Sequence, residues 1–217
     1  MKRIALILSL AGFVFTSCNN ETKTETTKTD TTATDKTATS TEPPAPPMDS
    51  AAMAKAWENF MTPGEMHKWM ASHAGTWDAE VTSFMPGAEP STSKATEVVK
   101  MVMNGLYQEG NLSGTMMGMP FTGKSIMAYD NAKKQFALSW IDNLGSGLMI
   151  MTGQYDAATK TMNLNGTQTD PTTGKDSKVR QEQKFIDDDN YVLTMYGDGP
   201  DGKEVKFMEA KFKRVKK

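Results

Sequence analysis

The sequence predicts an all-β protein: an antiparallel, up-and-down barrel of about ten strands, preceded by two short helices. From Thr76 onward apolar residues recur with period two, the spacing of a strand with one buried face. Clusters of Asp, Asn, Gly and Pro interrupt that alternation at short intervals. The connections are too short for the crossovers of a parallel sheet, so successive strands are antiparallel neighbours. Closing such a meander into a barrel removes its exposed edges.

The chain opens with Lys2 and Arg3, an apolar stretch from Ile4 to Phe15, and small residues leading to Cys18, the only cysteine. Residues 1–17 read as an export signal of the bacterial lipoprotein type, with Cys18 as the lipidation site. The stretch is shorter than the roughly 20 residues of a membrane span, which favours cleavage over spanning. Phe15 stands three residues before Cys18, where such signals usually carry Leu. An ordinary secreted protein with a stray thiol is the alternative. Asn19-Asn20 lacks the Asp that commonly retains lipoproteins in the inner membrane, so the expected location is the outer membrane, facing periplasm or cell surface.

Residues 18–47 form the lipid-anchored tether: eleven threonines, interleaved charges, no aromatic residue, and a final Pro43-Pro44-Ala45-Pro46-Pro47. Such a segment cannot bury enough apolar area to offset its ordering entropy, so the sequence predicts it disordered. Residues 48–217 then suit one domain with a sizeable core. Without Lys2 and Arg3 the chain carries 22 basic and 26 acidic residues and no basic patch, which excludes nucleic acid as an expected partner. A single cysteine leaves no intrachain disulfide, and the core alone must hold the fold.

In the first helical segment Met53, Ala56, Trp57, Phe60 and Met61 fall on one face, with Asp49 or Ser50 as cap; that face is expected to pack on something. The second segment opens Thr62-Pro63-Gly64-Glu65, read as a capping box with Thr62 at the N-cap and Glu65 reaching back. Met66, Trp69 and Met70 form its buried stripe and Gly75 ends it. Strands are predicted near 76–84, 96–104, 106–113, 120–129, 135–142, 147–155, 161–168, 177–186, 190–196 and 203–214. Val98 to Met103 and Leu148 to Met151 are apolar on both faces, so their outer faces need cover. The helical stripe suits one patch, and a second copy of the chain, in a homodimer, suits the other.

Gly75-Thr76-Trp77 at the first strand and Phe212-Lys213-Arg214 at the last resemble the calycin arrangement of lipocalins and fatty-acid-binding proteins. That resemblance implies a plug in which Gly75, Trp77 and Arg214 close one barrel end, the guanidinium lying over the indole. Thr115-Met116-Met117-Gly118-Met119-Pro120-Phe121, Tyr129-Asp130-Asn131-Ala132-Lys133, Trp140-Ile141-Asp142-Asn143, Tyr155-Asp156 and Asp170-Pro171-Thr172-Thr173-Gly174-Lys175-Asp176 together resemble domain-of-unknown-function family 1579 over roughly residues 62 to 215. The resemblance implies a lipocalin-like barrel and supplies no reaction.

Eighteen methionines admit three roles: filling core gaps, lining an adaptable pocket, or holding Cu(I), which needs two or three converging thioethers. Core or pocket lining is the simplest. His67 and His73, six apart on one helix, point about 240° from each other and cannot share an ion in the manner of an i, i+4 pair. No predicted strand contains a histidine for haem, and no metal or cofactor is expected. The sequence lacks a Gly-x-Ser-x-Gly elbow, a phosphate loop and a nucleophilic cysteine, and no catalytic residue is assigned. Catalysis would fall to Glu109, Asp142, Glu182, Tyr107 or Tyr155, although strand acids ordinarily sit on a solvated face. If Val179, Gln181, Gln183 and Phe185 face inward, two amides enter the interior and need partners. The preferred reading is a membrane-tethered module binding a small apolar or amphipathic ligand through Tyr107, Met119, Phe121, Trp140 and Tyr155. The alternatives are a structural or interaction lipoprotein with a filled core and, behind that, a cofactor-free hydrolase or isomerase.

Overall fold

The computed structural model describes residues 49–199 and 201–216. Cys18, the signal and the tether lie outside the described residues. Helices α1 (Ser50–Met61) and α2 (Glu65–Ser72) precede ten strands. These are β1 (Gly75–Ser83), β2 (Ser91–Val102), β3 (Tyr107–Met116), β4 (Met119–Asp130), β5 (Gln135–Asp142), β6 (Met149–Asp156), β7 (Thr161–Thr169), β8 (Asp176–Asp187), β9 (Asn190–Asp198) and β10 (Glu204–Arg214). Each strand pairs antiparallel with its sequence neighbour, and β1 pairs with β10 to close the barrel. The predicted fold class stands, with all ten strands in their expected places. The boundary of β2 moves most: it begins five residues early, because Ser91 to Lys94 show no apolar alternation yet pair with β1 along Glu80 to Ser83.

Asp49 caps α1 as expected, its Oδ1 accepting the Ala52 N–H at 2.7 Å. The expected packing of α1 does not occur. Met53, Trp57, Phe60 and Met61 are 45–59% exposed, and α1 buries no residue. Its hydrogen bonds to the barrel are those of the Asn131 amide, which donates to the carbonyls of Asn59 and Thr62 at 2.9 Å each. The capping box is also placed differently. The Thr62 hydroxyl donates to the Glu58 carbonyl at 2.6 Å and so finishes α1. The first turn of α2 is held instead by the Gly64 N–H donating to His67 Nδ1 at 3.0 Å.

Helix α2 sits on one end of the barrel. Met70 is fully buried, and the Trp69 ring lies 4.4 Å from Tyr155, 5.0 Å from Phe185 and 5.6 Å from Phe136. The Gln108 amide donates to the Met70 carbonyl at 2.7 Å, fastening α2 to β3. The strands alternate in and out, so Trp77, Ala79 and Val81 of β1, Val179, Gln181 and Phe185 of β8, and Ala210 and Phe212 of β10 are all buried. Outside, Val98 and Ile150 stay 47% and 54% exposed, and neither helix supplies the expected cover. They lie on β2 and β6, four strands apart around a ten-strand ring, so one two-fold contact cannot bury both.

The Gly-x-Trp pattern has a steric origin. Gly75 has φ +144°, and a Cβ there would stand 2.8 Å from Nη1 of Arg214. The bare glycine lets that guanidinium reach the Ala74 and Ser72 carbonyls at 2.8 and 3.0 Å while its carbon lies 4.2 Å from the centre of a Trp77 ring.

Candidate functional site

At the end away from α2 the barrel interior opens into a cavity of about 370 Å³. Val81, Val99, Leu112, Phe121, Leu138 and Met195 give it apolar walls. Asp142, Leu144, Gly145, Gly147, Leu148 and Thr169 stand at its mouth, and Leu148 is 58% exposed there. Of the residues predicted to bind ligand, Phe121 and Trp140 line the cavity with their rings stacked 6.4 Å apart. Gly123 seats Trp140: any Cβ at that position would strike the indole. Trp140 Nε1 donates to Asp142 Oδ2 at 2.8 Å, fixing the ring in the wall.

The other three are placed elsewhere. Tyr107 begins β3 at the helix-covered end and is 40% exposed. Met119 follows the tight turn between β3 and β4 and is 48% exposed. Tyr155 packs under Trp69 and helps form the plug, beyond the cavity lining. The acids considered for catalysis also divide. Asn111 and the ammonium groups of Lys100 and Lys124 hold the Glu109 carboxyl down at about 2. Glu182 pairs with Arg180 at 3.4 Å. Asp142 alone of these reaches the cavity, at its mouth.

The polar groups lining the interior include Glu97, Gln108, Ser125, Gln181, Gln183 and Tyr191, with His73 at the helix-covered end. Both β8 glutamines line the cavity, so the inward alternative considered for Val179, Gln181, Gln183 and Phe185 is the one adopted. Glu97 and Tyr191 were not among the predicted site residues. The Tyr191 hydroxyl donates to Glu97 Oε2 at 2.9 Å. The Tyr191 ring is fixed by stacking on Phe212 at 4.3 Å and by the edge of Trp77 at 4.9 Å. Burial pushes the Glu97 carboxyl up, and the Tyr191 bond offsets only part of that. Burial, and then the Glu97 charge, push the Tyr191 hydroxyl well above its ordinary range.

A carboxyl raised by burial is a stability cost that appears as pH rises through the unfolded value and is complete above the folded one. Glu97→Gln keeps the shape and the acceptor for Tyr191. It is expected to raise the thermal midpoint at pH 7, by about 2–4 °C per kcal/mol relieved, and to lose that advantage near pH 3. Thermal melts at the two pH values check this.

The histidines belong to the plug. His67 is buried, its ring 5.9 Å from Tyr129. His73 places Nδ1 2.8 Å from the Trp69 carbonyl oxygen and its ring 4.5 Å from Phe185. Burial lowers the pKa of both. Among the described residues no three His, Cys, Asp or Glu side chains are grouped to hold a metal.

Residues 62–214 match the family described as "Protein of unknown function (DUF1579)". The chain belongs to the DUF1579 family. No curated protein matches it at a significant level. Among solved structures this DUF1579 barrel is similar to Rv2717c from M. tuberculosis, with TM-score 0.57 and 13% identity over 71% of this chain and 100% of that one. It is also similar to the S-type phycobiliprotein lyase CPES from Guillardia theta, with TM-score 0.49 and 11% identity over 71% of this chain and 94% of that one. At these identities the likeness to Rv2717c establishes the barrel fold of the DUF1579 chain and leaves its ligand to the cavity itself.

Proposed function

We propose that this DUF1579 barrel binds a small apolar or amphipathic ligand in its interior. The observation that carries the reading is the cavity of about 370 Å³, apolar in its walls, open at one end and holding a few convergent polar groups. Ligand sites are concave, mostly apolar and oriented by a small number of polar contacts. A filled core, the interaction-protein alternative, would not leave that space. Burial of the apolar part supplies the affinity, and Glu97, Tyr191 and the β8 glutamines set orientation.

The test is occupancy. Native mass spectrometry of the protein purified from its host, with lipid extraction, is expected to find a small molecule travelling with it. Leu112→Trp, which fills the wall opposite Glu97 in the β2–β3 register, is expected to abolish that cargo while the barrel still folds. Equal cargo in the variant, or none in either protein, would overturn the reading.

The proposed place of action is the outer membrane, with Cys18 carrying the lipid and residues 18–47 acting as tether. Stable anchoring through acyl chains predicts that Cys18→Ser moves the protein wholly to the soluble fraction. A serine variant that stays on membranes through a high-salt wash would refute the anchor. A homodimer is proposed through an exposed apolar stripe, Val98 on β2 or Ile150 with Leu148 at β6.

A further inference from the structure

We propose that the ligand's polar end is a protonated amine, held at Glu97. This rests on the reading of the cavity as a ligand site and adds the chemical class of the headgroup. The residues lining the cavity include two carboxyls, Glu97 in the wall and Asp142 at the mouth, and neither lysine nor arginine. Arg214 is committed elsewhere, to the Ser72, Ala74 and Asp188 carbonyls. His73, the remaining titratable lining group besides Tyr191, is biased by burial toward its neutral form. A carboxylate set in a mostly apolar cavity wall needs a cation or several donors, and from the barrel Glu97 receives a single hydrogen bond, at Oε2.

Its other oxygen, Oε1, lies beside the Ser125 hydroxyl in the cavity lining. Gly110 of β3 is buried, and a Cβ built on it would stand 2.6 Å from Glu97 Oε1 and 2.5 Å from Ser125 Oγ. The missing side chain therefore lets two oxygens from different strands converge over the β3 backbone, and both residues line the cavity. An ammonium has three donors and no acceptor, which suits a carboxylate and a hydroxyl together. A fatty carboxylate in the same place would meet Glu97 as a like charge with no basic group to bridge them. The acidic mouth residue Asp142 draws in the same sign of ligand that Glu97 holds.

The experiment is calorimetric titration of the purified full chain at pH 7 with decylamine, decanol and decanoate, each below its micelle concentration. Decylamine is expected to bind about tenfold or more tighter than decanoate, since a charge-assisted hydrogen bond replaces a like-charge contact. Glu97→Gln is expected to remove the preference for decylamine over decanoate. Ser125→Ala is expected to weaken decylamine binding alone. If decanoate equals or exceeds decylamine, or the preference survives Glu97→Gln, the amine assignment is overturned and the ligand cavity stands. If none of the three probes binds, the ligand reading falls with it.

Discussion

Replacing Trp77 with alanine is expected to cost about 3–5 kcal/mol, a large part of the whole stability of a domain this size. The indole is 1% exposed and donates Nε1–H to the His73 carbonyl at 3.1 Å. It touches the edge of Tyr191 at 4.9 Å and lies under Arg214. Truncation would leave a void where the first strand, the last strand and the turn after α2 meet. Arg214→Ala is expected to cost less, about 1–3 kcal/mol. The guanidinium is partly solvated, but its removal deprives the carbonyls of Ser72, Ala74 and Asp188 of a donor. Denaturant melts of the two variants should rank them in that order. A nearly neutral Trp77→Ala would mean that the pair does not close the barrel.

Gly153→Val is expected to cost at least about 3 kcal/mol, near the upper end for overpacking. A Cβ on Gly153 would run into the Asn163 carbonyl oxygen and stand 2.9 Å from the Leu164 Cα. These are backbone atoms of β7, and they cannot yield without breaking the β6–β7 ladder. Gly166 meets the Ile150 carbonyl in the same way, so the two strands approach closely at two glycines, Gly153 opposite Leu164 and Gly166 opposite Met151. By contrast Gly174, with φ +67° and open space around it, should tolerate alanine at about 1–2 kcal/mol, the cost of the backbone conformation alone. Equal midpoints for Gly153→Val and the native chain would show that β6 and β7 do not approach so closely.

The fold was legible because each strand announces itself locally, through period two and the turn residues after it. Which set of β8 faces inward was left open by the sequence, because Ile186 is apolar on the opposite parity to Val179 and Phe185; the structure turns Val179, Gln181 and Phe185 in. The site was less legible for a related reason. Glu97 shares parity with the inward Val99, but Val98 beside it is apolar as well, so the sequence alone does not say which face of β2 turns in. Tyr107, Met119 and Tyr155 look like Phe121 and Trp140 in composition. Height along the barrel axis separates them, and that coordinate depends on the shear of the closed ring rather than on local pattern. The exposure of Trp57 and Phe60 on α1 was hidden too, because amphipathic spacing states that a face is apolar without naming what would cover it.

The closure of the ring bears on how the chain folds. Nine of the ten strand pairings join sequence neighbours and form as hairpins, whereas the β1–β10 seam brings together groups 140 residues apart. Loop-closure entropy for that distance is about 4 kcal/mol, against about 2 for a hairpin of some ten residues. The seam is therefore the step that separates an open, edge-exposed sheet from a closed one. Trp77 and Arg214, direct partners across it, act as its clasp. Until they meet, β1 and β10 are unpaired edges able to recruit another chain, so the residues that lock the finished barrel also set how long the unfinished one stays prone to association.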